Sequence, residues 1–320
     1  MTTHSEPGGG RPDPGLRAIT SERHRLLNLA YRLLGSLADA EDAVQETYAR
    51  WYAMPQQQQD SIGSPGAWLT KVASRICLDL LGSARARRER YVGEWLPEPL
   101  PDPAEWSSGR PGAAADPADR VTLDESVSMA LLVVLDSMTP AERVAFILHD
   151  VFGYPFPDVA EIVGRTPAAC RQLASSARRR SRASQPPATP TARQASIVRA
   201  FKRAWEVGDI GALVGLLDPD ATAIGDGGGL VGGASRPIEG GEQVARFLVD
   251  VAGRVPNRTL LERTVNGQPG LVAQQDGVTV VVYAFEVAGG RITHIWAVLN
   301  PDKLRPWTEG PARGPTQTRP

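Results

Sequence analysis

The chain is poor in the residues that build redox and metal centres, with two cysteines and four histidines in 320 residues. Cys77 and Cys170 sit in separate helical patterns with no CxxC or Cys/His spacing around them. That excludes a disulfide framework and a zinc site and leaves two small buried hydrophobes. No metal and no cofactor is expected. Long apolar runs are also missing: Met1 to Gly15 is polar, with Gly and Pro where a signal peptide would be apolar, and no later stretch approaches a membrane span. A cytoplasmic protein without membrane contact is the expectation. Charge of one sign is lacking as well, since 35 Lys+Arg against 36 Asp+Glu leave a formal net charge of −1. A nucleic-acid partner must therefore be held by local basic clusters.

Apolar residues, at 42%, suffice for packed cores, and the length suits two or three domains. The 32 glycines and 27 prolines cluster, which marks linkers between compact parts.

From Thr20 to about Leu37, Leu26, Leu27, Ala30, Leu33, Leu34 and Leu37 recur at helical spacing. Past Gly35-Ser36, Asp39 is placed to cap a second helix carrying Val44, Tyr48, Trp51 and Tyr52. The run Pro55 to Gly63 has turn formers and no period, and Ser64-Pro65 opens a third helix through Trp68, Leu69, Val72, Ile76 and Leu80. That helix meets the basic cluster Arg85, Arg87, Arg88 and Arg90. Gly93 to Arg120 reads as a linker, in which Trp95 and Leu96 need a docking surface if they are to be buried.

Thr139-Pro-Ala-Glu142 is a capping box with proline at the first helical position. Gly153 stops that helix, a short one runs from Phe156 to Gly164, and Thr166-Pro167 caps another ending in Arg178, Arg179, Arg180 and Arg182. Helix, glycine turn and helix with a basic tail make a helix-turn-helix, whose second helix enters the major groove. Arg165, Thr166, Arg171 and Gln172 are the base-contact candidates, with Arg178 and Arg179 on phosphates. A helical hairpin with a solvated basic end remains the plain alternative. In the same way, Trp68, Lys71 and Arg75 with the Arg85–Arg88 cluster suit unstacked bases and their phosphates, although Trp68 equally fits a core.

Beyond the Pro-rich stretch Ser184 to Thr191 the pattern becomes α+β. Helices are expected at Ser196–Val207, Asp209–Leu217 and Gly241–Val251, strands near Ala221–Ile224 and from Leu260 onward, with hairpin turns at Asp276-Gly277 and Gly289-Gly290. Both faces of Val278–Phe285 are apolar, so one face should meet helices and the other line an interior, as in a curved sheet around a cavity. His294, spaced with Ile292 and Trp296, is a candidate to face that interior, as a catalyst or as a satisfied core group.

Asp39-Ala-Glu-Asp-Ala-Val-Gln-Glu-Thr-Tyr-Ala-Arg-Trp and Pro65-Gly-Ala-Trp-Leu-Thr-Lys-Val-Ala-Ser-Arg-Ile-Cys-Leu-Asp resemble region 2 of sigma-70-type factors. Ser137-Met-Thr-Pro-Ala-Glu-Arg-Val-Ala-Phe-Ile-Leu-His-Asp through Arg165-Thr-Pro-Ala-Ala-Cys-Arg-Gln-Leu-Ala resembles region 4. With no region 3 between them, the chain is similar to extracytoplasmic-function sigma factors, and its last part to the SnoaL-like (NTF2-like) extension of one branch. Trp95-Leu-Pro-Glu-Pro, Asp226-Gly-Gly-Gly and Asn300-Pro-Asp-Lys-Leu match that branch in order, with Leu230 where lysine is common.

The resemblance implies a multidomain chain: a disordered N-terminus (1–18), an all-α region 2 bundle (19–92), a linker (93–123), an all-α region 4 (124–183), a Pro-rich linker (184–192), an α+β SnoaL-like domain (193–305) and a flexible tail (306–320). It implies that Asp39, Asp42, Gln45 and Glu46 meet the β′ clamp helices of core RNA polymerase, with region 4 on the β flap. In the family the Pro55–Ser64 loop captures a flipped base of the −10 element, and Gln59, Asp60 and Ser61 are the candidates here. The helix-turn-helix would read the −35 element. Trp95, Leu96 and Pro97 would meet Asp226, Gly227, Gly228, Asn300, Pro301, Asp302 and Lys303 in a regulatory contact made in cis. No catalytic residue is expected. A helix-turn-helix regulator with a small-molecule ligand in the C-terminal cavity, or an enzyme using that cavity, stays open as an alternative.

Overall fold

The computed structural model describes residues 14–88, 91, 93–102, 127–184, 189, 191–231, 236–255 and 257–308, with the side chains of 14–21, 84–88 and 183–184 left aside. Among these residues no helix is long and apolar enough to cross a membrane.

Helices α1 (Pro14–Leu34), α2 (Leu37–Tyr52) and α4 (Pro65–Arg88) pack through Leu26, Leu29, Leu33, Ala40, Val44, Leu69, Ala73 and Cys77. Helix α1 begins at Pro14, not near Thr20, because proline at a helix start has its φ preset. The disordered segment expected for 1–18 is therefore corrected over 14–18, and 1–13 lie outside the described residues. The N-cap of α2 is Ser36, whose hydroxyl accepts from the Asp39 amide at 3.2 Å; Asp39 sits in the first turn instead. The run after Pro55 is not wholly irregular, since Gln56–Asp60 forms a short helix, α3. Glutamine is a fair helix former, and proline before the first turn loses no bond.

Helix α5 (Met129–Asp136) precedes the helix-turn-helix: α6 (Pro140–Phe146) continues as a π turn (Ile147–Val151), followed by α7 (Phe156–Val163) and α8 (Pro167–Ser184). Thr139 and Glu142 make the full capping box, and Gly164 closes α7 in the left-handed region at φ 69°. The apolar residues of α1, α2 and α4 and those of α5–α8 form one continuous cluster. The two helical regions are packed on each other.

The C-terminal lobe has helices α9 (Thr191–Glu206), α10 (Ile210–Leu216) and α11 (Gly241–Arg254) over a six-stranded sheet in the order β2-β1-β6-β5-β4-β3. The strands are β1 (Leu217–Asp226), β2 (Ile238–Glu239), β3 (Arg258–Val265), β4 (Gln268–Gln275), β5 (Val278–Ala288) and β6 (Arg291–Val298). Among the described strands only β1 and β6 pair in parallel. The hairpin turns expected at 276–277 and 289–290 are present, and Asn266-Gly267 adds a third; all six residues have the positive φ that such two-residue turns require. This is the α+β lobe that the resemblance implied.

The helix-facing side of the sheet carries Val281, Tyr283, Phe285 and Val287, packed with Phe201, Trp205 and Leu248. The other side of β5, expected to line an interior, is covered by the chain itself: Val282 and Ala284 join Leu96, Met129, Trp296, Val298 and Leu304. His294 is corrected too. The register slips between Glu286 and Val287, so Ile292 and His294 face opposite ways. His294 is partly exposed, stacked on Trp296 at 5.5 Å and paired with Glu286 at 2.8 Å. After a 3-10 turn at Pro301–Leu304, the chain departs over 306–308 from the loose tail expected for 306–320: Arg305–Thr308 forms a final helical turn, α12, while 309–320 lie outside the described residues.

Candidate functional site

The described part of the linker, Gly93–Asp102, runs extended between the region-2-like helices and the C-terminal sheet, with Leu96–Pro101 buried. Prolines pre-extend it and remove donors that would otherwise need partners. Asp226, at the end of β1, is fully buried. Its carboxylate accepts from the Leu96 amide at 2.8 Å, the Tyr91 hydroxyl at 2.6 Å, the Gly228 amide at 3.1 Å and Lys303 Nζ at 2.6 Å. Lys303 also donates to the Leu96 carbonyl at 2.5 Å and lies 4.2 Å from the centre of the Trp95 ring. Asn300 donates to the Tyr91 hydroxyl at 2.8 Å, and its own amide donates to the Asp226 carbonyl at 2.9 Å. Burial, first, and the Asp226 hydrogen bond raise the Tyr91 phenol well above its usual range.

Gly228, at φ 64°, lies so close to the Asn300 amide that a Cβ there would stand 2.6 Å from Nδ2. Of the expected contact residues, Trp95, Leu96, Asp226, Gly228, Asn300 and Lys303 come together. Pro301 and Asp302 are exposed, and Asp302 pairs with Arg305 on its own turn at 2.8 Å. Leu230 is 71% exposed, and the cation beside Asp226 is Lys303.

The other end of the linker grips region 2. The Glu98 amide donates to the Gly35 carbonyl, and the Glu98 carboxylate accepts from the Leu37 amide, each at 2.8 Å. Tyr31 donates to the Glu98 carbonyl at 2.7 Å and accepts from Asn266 Nδ2 at 2.8 Å. Asn266 in turn exchanges bonds with Leu100, through its amide at 2.8 Å and its side-chain oxygen at 3.2 Å. Trp307 Nε1–H donates to the Pro99 carbonyl at 2.8 Å. Burial pushes the Glu98 carboxyl up to about 7, against the opposing pull of the Leu37 amide, Ser36 and Lys303; Glu41 adds to the rise. Sequence reasoning missed Tyr31, Tyr91, Asn266 and Trp307 as contact residues, whereas Glu98 lies in the Trp95–Pro99 motif it singled out. The Asn266-Gly267 dipeptide marks a hairpin turn but not the contact that Asn266 makes.

On α2, Asp42, Gln45 and Glu46 are exposed on one face, with Glu46 paired to Arg50 at 2.8 Å, while Asp39 is half-buried. Gln59 spends its amide on the Trp51 and Met54 carbonyls at 3.0 and 3.1 Å. Asp60 accepts from Gln56 at 2.9 Å, and Ser61 donates to the Gln58 carbonyl at 2.7 Å. Trp68 packs edge-on to Trp51 at 5.2 Å. Lys71 pairs with Glu161 of α7, and Arg75 donates to the Glu161 carbonyl at 2.8 Å. The Lys71 hydrogen bond, first, holds the Glu161 carboxyl below its usual range. The side chains of Arg85, Arg87 and Arg88, and all of Arg90, lie outside the described residues.

On α8, Arg171, Gln172 and Arg179 are exposed, as are Arg165 and Thr166 ahead of it, and the Thr166 hydroxyl caps the helix by accepting from the Ala169 amide at 3.2 Å. Arg178 is tied to Asp150 at 2.8 Å. Arg165, Gln172 and Arg179 line a groove of ≈ 930 Å³ that is shared with Leu78 of α4. The two candidate DNA-reading faces are therefore neighbours. Arg143 of α6, buried, donates to the Leu33 carbonyl at 2.7 Å and to Asp136 at 2.9 Å, and burial lowers its guanidinium to about 10.

The sigma-70 region 2 family matches residues 18–87, and the sigma-70 region 4 family matches 128–180. The chain is 38% identical over 298 residues to the ECF RNA polymerase sigma factor SigJ of Mycobacterium tuberculosis, covering 88% of this chain and 90% of that one. It is 37% identical to the probable ECF RNA polymerase sigma factor SigI of the same organism, over 92% of this chain and 96% of that one. The crystal structure of M. tuberculosis SigJ superposes with a TM-score of 0.70 at 35% identity, covering 91% of this chain and 98% of that one.

Proposed function

Because the chain belongs to the extracytoplasmic-function sigma factors, and so binds core RNA polymerase and promoter DNA to direct transcription, we propose that its C-terminal lobe holds it in a closed state that must open for initiation. The observation that carries this reading is the buried Asp226–Lys303 pair, which clasps the linker to the lobe while Glu98 and Tyr31 clasp the same linker to region 2.

The closed arrangement and promoter geometry are incompatible. Elements centred near −35 and −10 are about 25 base pairs apart, roughly 85 Å of duplex at about 3.4 Å per base pair. Here the candidate −10 cations Lys71 and Arg75 touch region 4 itself. The two regions must separate to read both elements. A tethered lobe acts at an effective concentration of about millimolar, so contacts of modest strength suffice to keep them together.

In this reading Asp42, Gln45 and Glu46 dock on the β′ clamp helices by complementary charge, and region 4 meets the β flap. Lys71, Arg75 and the Arg85–Arg88 cluster carry −10 phosphates once released. Arg165, Arg171, Gln172 and Arg179 face the −35 duplex, with Thr166 capping their helix and Arg178 bracing Asp150. Gln59 shapes the −10 loop through carbonyls, which leaves Asp60 and Ser61 nearer the base. In this reading the lobe acts as a restraint, and the packing of Phe201, Trp205, Tyr283 and Phe285 between its helices and sheet supports that role.

The test is run-off transcription with core polymerase, comparing the whole chain with one ending at residue 190. The shortened chain is expected to yield more transcript at limiting core. Equal yields would remove the lobe from control, and no specific transcript from either would overturn the initiation reading.

A further inference from the structure

Lysine is almost absent from this chain: Lys71, Lys202 and Lys303 stand against 32 arginines. Two of these lysines sit at contacts between the parts of the molecule, Lys71 on Glu161 of region 4 and Lys303 on Asp226. Lysine differs from arginine there in two ways. Its ammonium is a compact point charge, and its nitrogen is a target of acetylation.

At Lys303 the surroundings are built on that one nitrogen. Nζ donates to the Leu96 carbonyl at 2.5 Å and to Asp226 Oδ2 at 2.6 Å, and it lies 4.2 Å from the centre of the Trp95 ring and 5.1 Å from that of Tyr91. Only 12% of the Lys303 side chain meets water, against 39% for Lys71. Its neighbours Pro301, Asp302 and Arg305 are exposed, so once the linker leaves, Lys303 stands on an open surface turn.

An acetylated lysine has no charge and one N–H in place of three. It cannot give separate bonds to Leu96 and Asp226, and the attraction to the two rings is lost. The Asp226 carboxylate would be left buried beside a neutral group, with the acetyl carbons crowded against Trp95 and Tyr91.

We propose that Lys303 is a modification site: in the open chain its amine takes an acetyl group from an activated donor, a thioester or an acyl phosphate, and the acetylated chain cannot close again. The amine, after giving its ammonium proton to solvent, attacks the acetyl carbonyl. The C–N bond forms, the C–S or C–O bond breaks, thiolate or phosphate leaves with the bonding pair, and the proton displaced from nitrogen passes to solvent. The clasp shields the amine, so only a chain that has already opened is marked, and the mark holds it open. This inference rests on the closed state proposed above and adds a chemical lock on the open one.

The whole chain is incubated with acetyl phosphate in one arm and acetyl coenzyme A in the other, and each lysine is followed by peptide mass spectrometry. In the free wild type, Lys303 is expected to react several-fold more slowly than Lys71. In Asp226→Asn, or in Trp95→Ala should that variant not fold, Lys303 is expected to react several-fold faster than in wild type, with Lys202 unchanged. A rise in either arm supports the proposal and identifies the donor; no rise in both arms overturns it. If Lys303 reacts as fast as Lys71 in the free wild type, the closed state itself falls and the proposal with it.

The consequence is read separately. Lys71→Arg with Lys202→Arg leaves Lys303 as the sole lysine, and hydrogen exchange across Trp95–Leu100 reports the clasp, since the amides of Leu96, Glu98 and Leu100 are all bonded when it is shut. After complete acetylation and removal of the donor, that segment is expected to exchange several-fold faster than in the untreated chain. Adding Lys303→Arg should abolish the difference. Full protection in the acetylated chain, or a treatment effect that survives Lys303→Arg, overturns the proposal and leaves the closed state standing.

Discussion

Asp226 and Lys303 lie 77 residues apart in sequence and meet at 2.6 Å with the carboxylate wholly out of water. A buried pair of this kind adds little net stability over an apolar pair, but removing one partner strands the other charge, at about 3–5 kcal/mol. The cost falls on the closed state alone, since either group can hydrate once the linker leaves. Asp226→Asn is therefore expected to open the chain and raise transcription at limiting core, with the melting of regions 2 and 4 little changed. Unchanged transcript from a folded Asp226→Asn protein would detach this pair from control.

Glu98 makes the clasp sensitive to pH. Its carboxyl titrates near 7 when docked and near the ordinary glutamate value when the linker is free. A raised docked value means that the docked form holds its proton more tightly. Its contribution is thus fully present below the free value and is lost as pH rises through about 7. Lys303 opposes the shift, and Glu41 favours it. Linker docking, followed by Trp95 fluorescence, is expected to weaken from pH 6 to pH 8. Glu98→Gln keeps an acceptor for the Leu37 amide and should flatten that profile. A Glu98→Gln protein with the wild-type slope would place the titration elsewhere.

The acidic face of α2 is exposed while the linker is docked, so in the reading proposed above core recognition can begin before the lobe lets go. Asp42→Arg with Glu46→Arg places repulsive charge on an exposed surface that carries no core packing. Core binding in a pull-down is expected to be lost, with the thermal midpoint unchanged. Retained binding would move the polymerase contact off this face.

The local part of this architecture was legible and the long-range part was not. Thr139 with Glu142, Gly164 and Thr166-Pro167 specify their helix ends within four residues, and they act as expected. Apolar periodicity tells which face is buried but not what covers it. Both sides of β5 read as apolar, and the second cover proved to be linker and α5 instead of an interior. Tyr31 and Asn266 meet across 235 residues, and neither carries a local mark of that bond. Nor does sequence reveal that the Gln59 amide is consumed by two carbonyls, or that the Glu286–Val287 register slip turns His294 outward.

Lys71, Arg75 and Glu161 tie the two DNA-reading modules to each other. Lys71 and Arg75 are the described α4 cations proposed above for −10 phosphates, yet region 4 supplies an acidic group and a carbonyl to the same two side chains. An exposed contact of this kind is screened by salt, and so is the phosphate contact that would replace it. Glu161→Lys removes the attraction and sets like charges against each other, without touching the buried side of α7, where Val159, Ala160 and Ile162 pack. The variant is expected to bind a −10 fork-junction DNA a few-fold more tightly than wild type at low salt, and the gap should close as salt rises. Glu161→Gln should fall between the two. Titrating labelled fork DNA across a salt series checks both statements: identical curves for wild type and Glu161→Lys would mean that α7 does not mask the −10 surface.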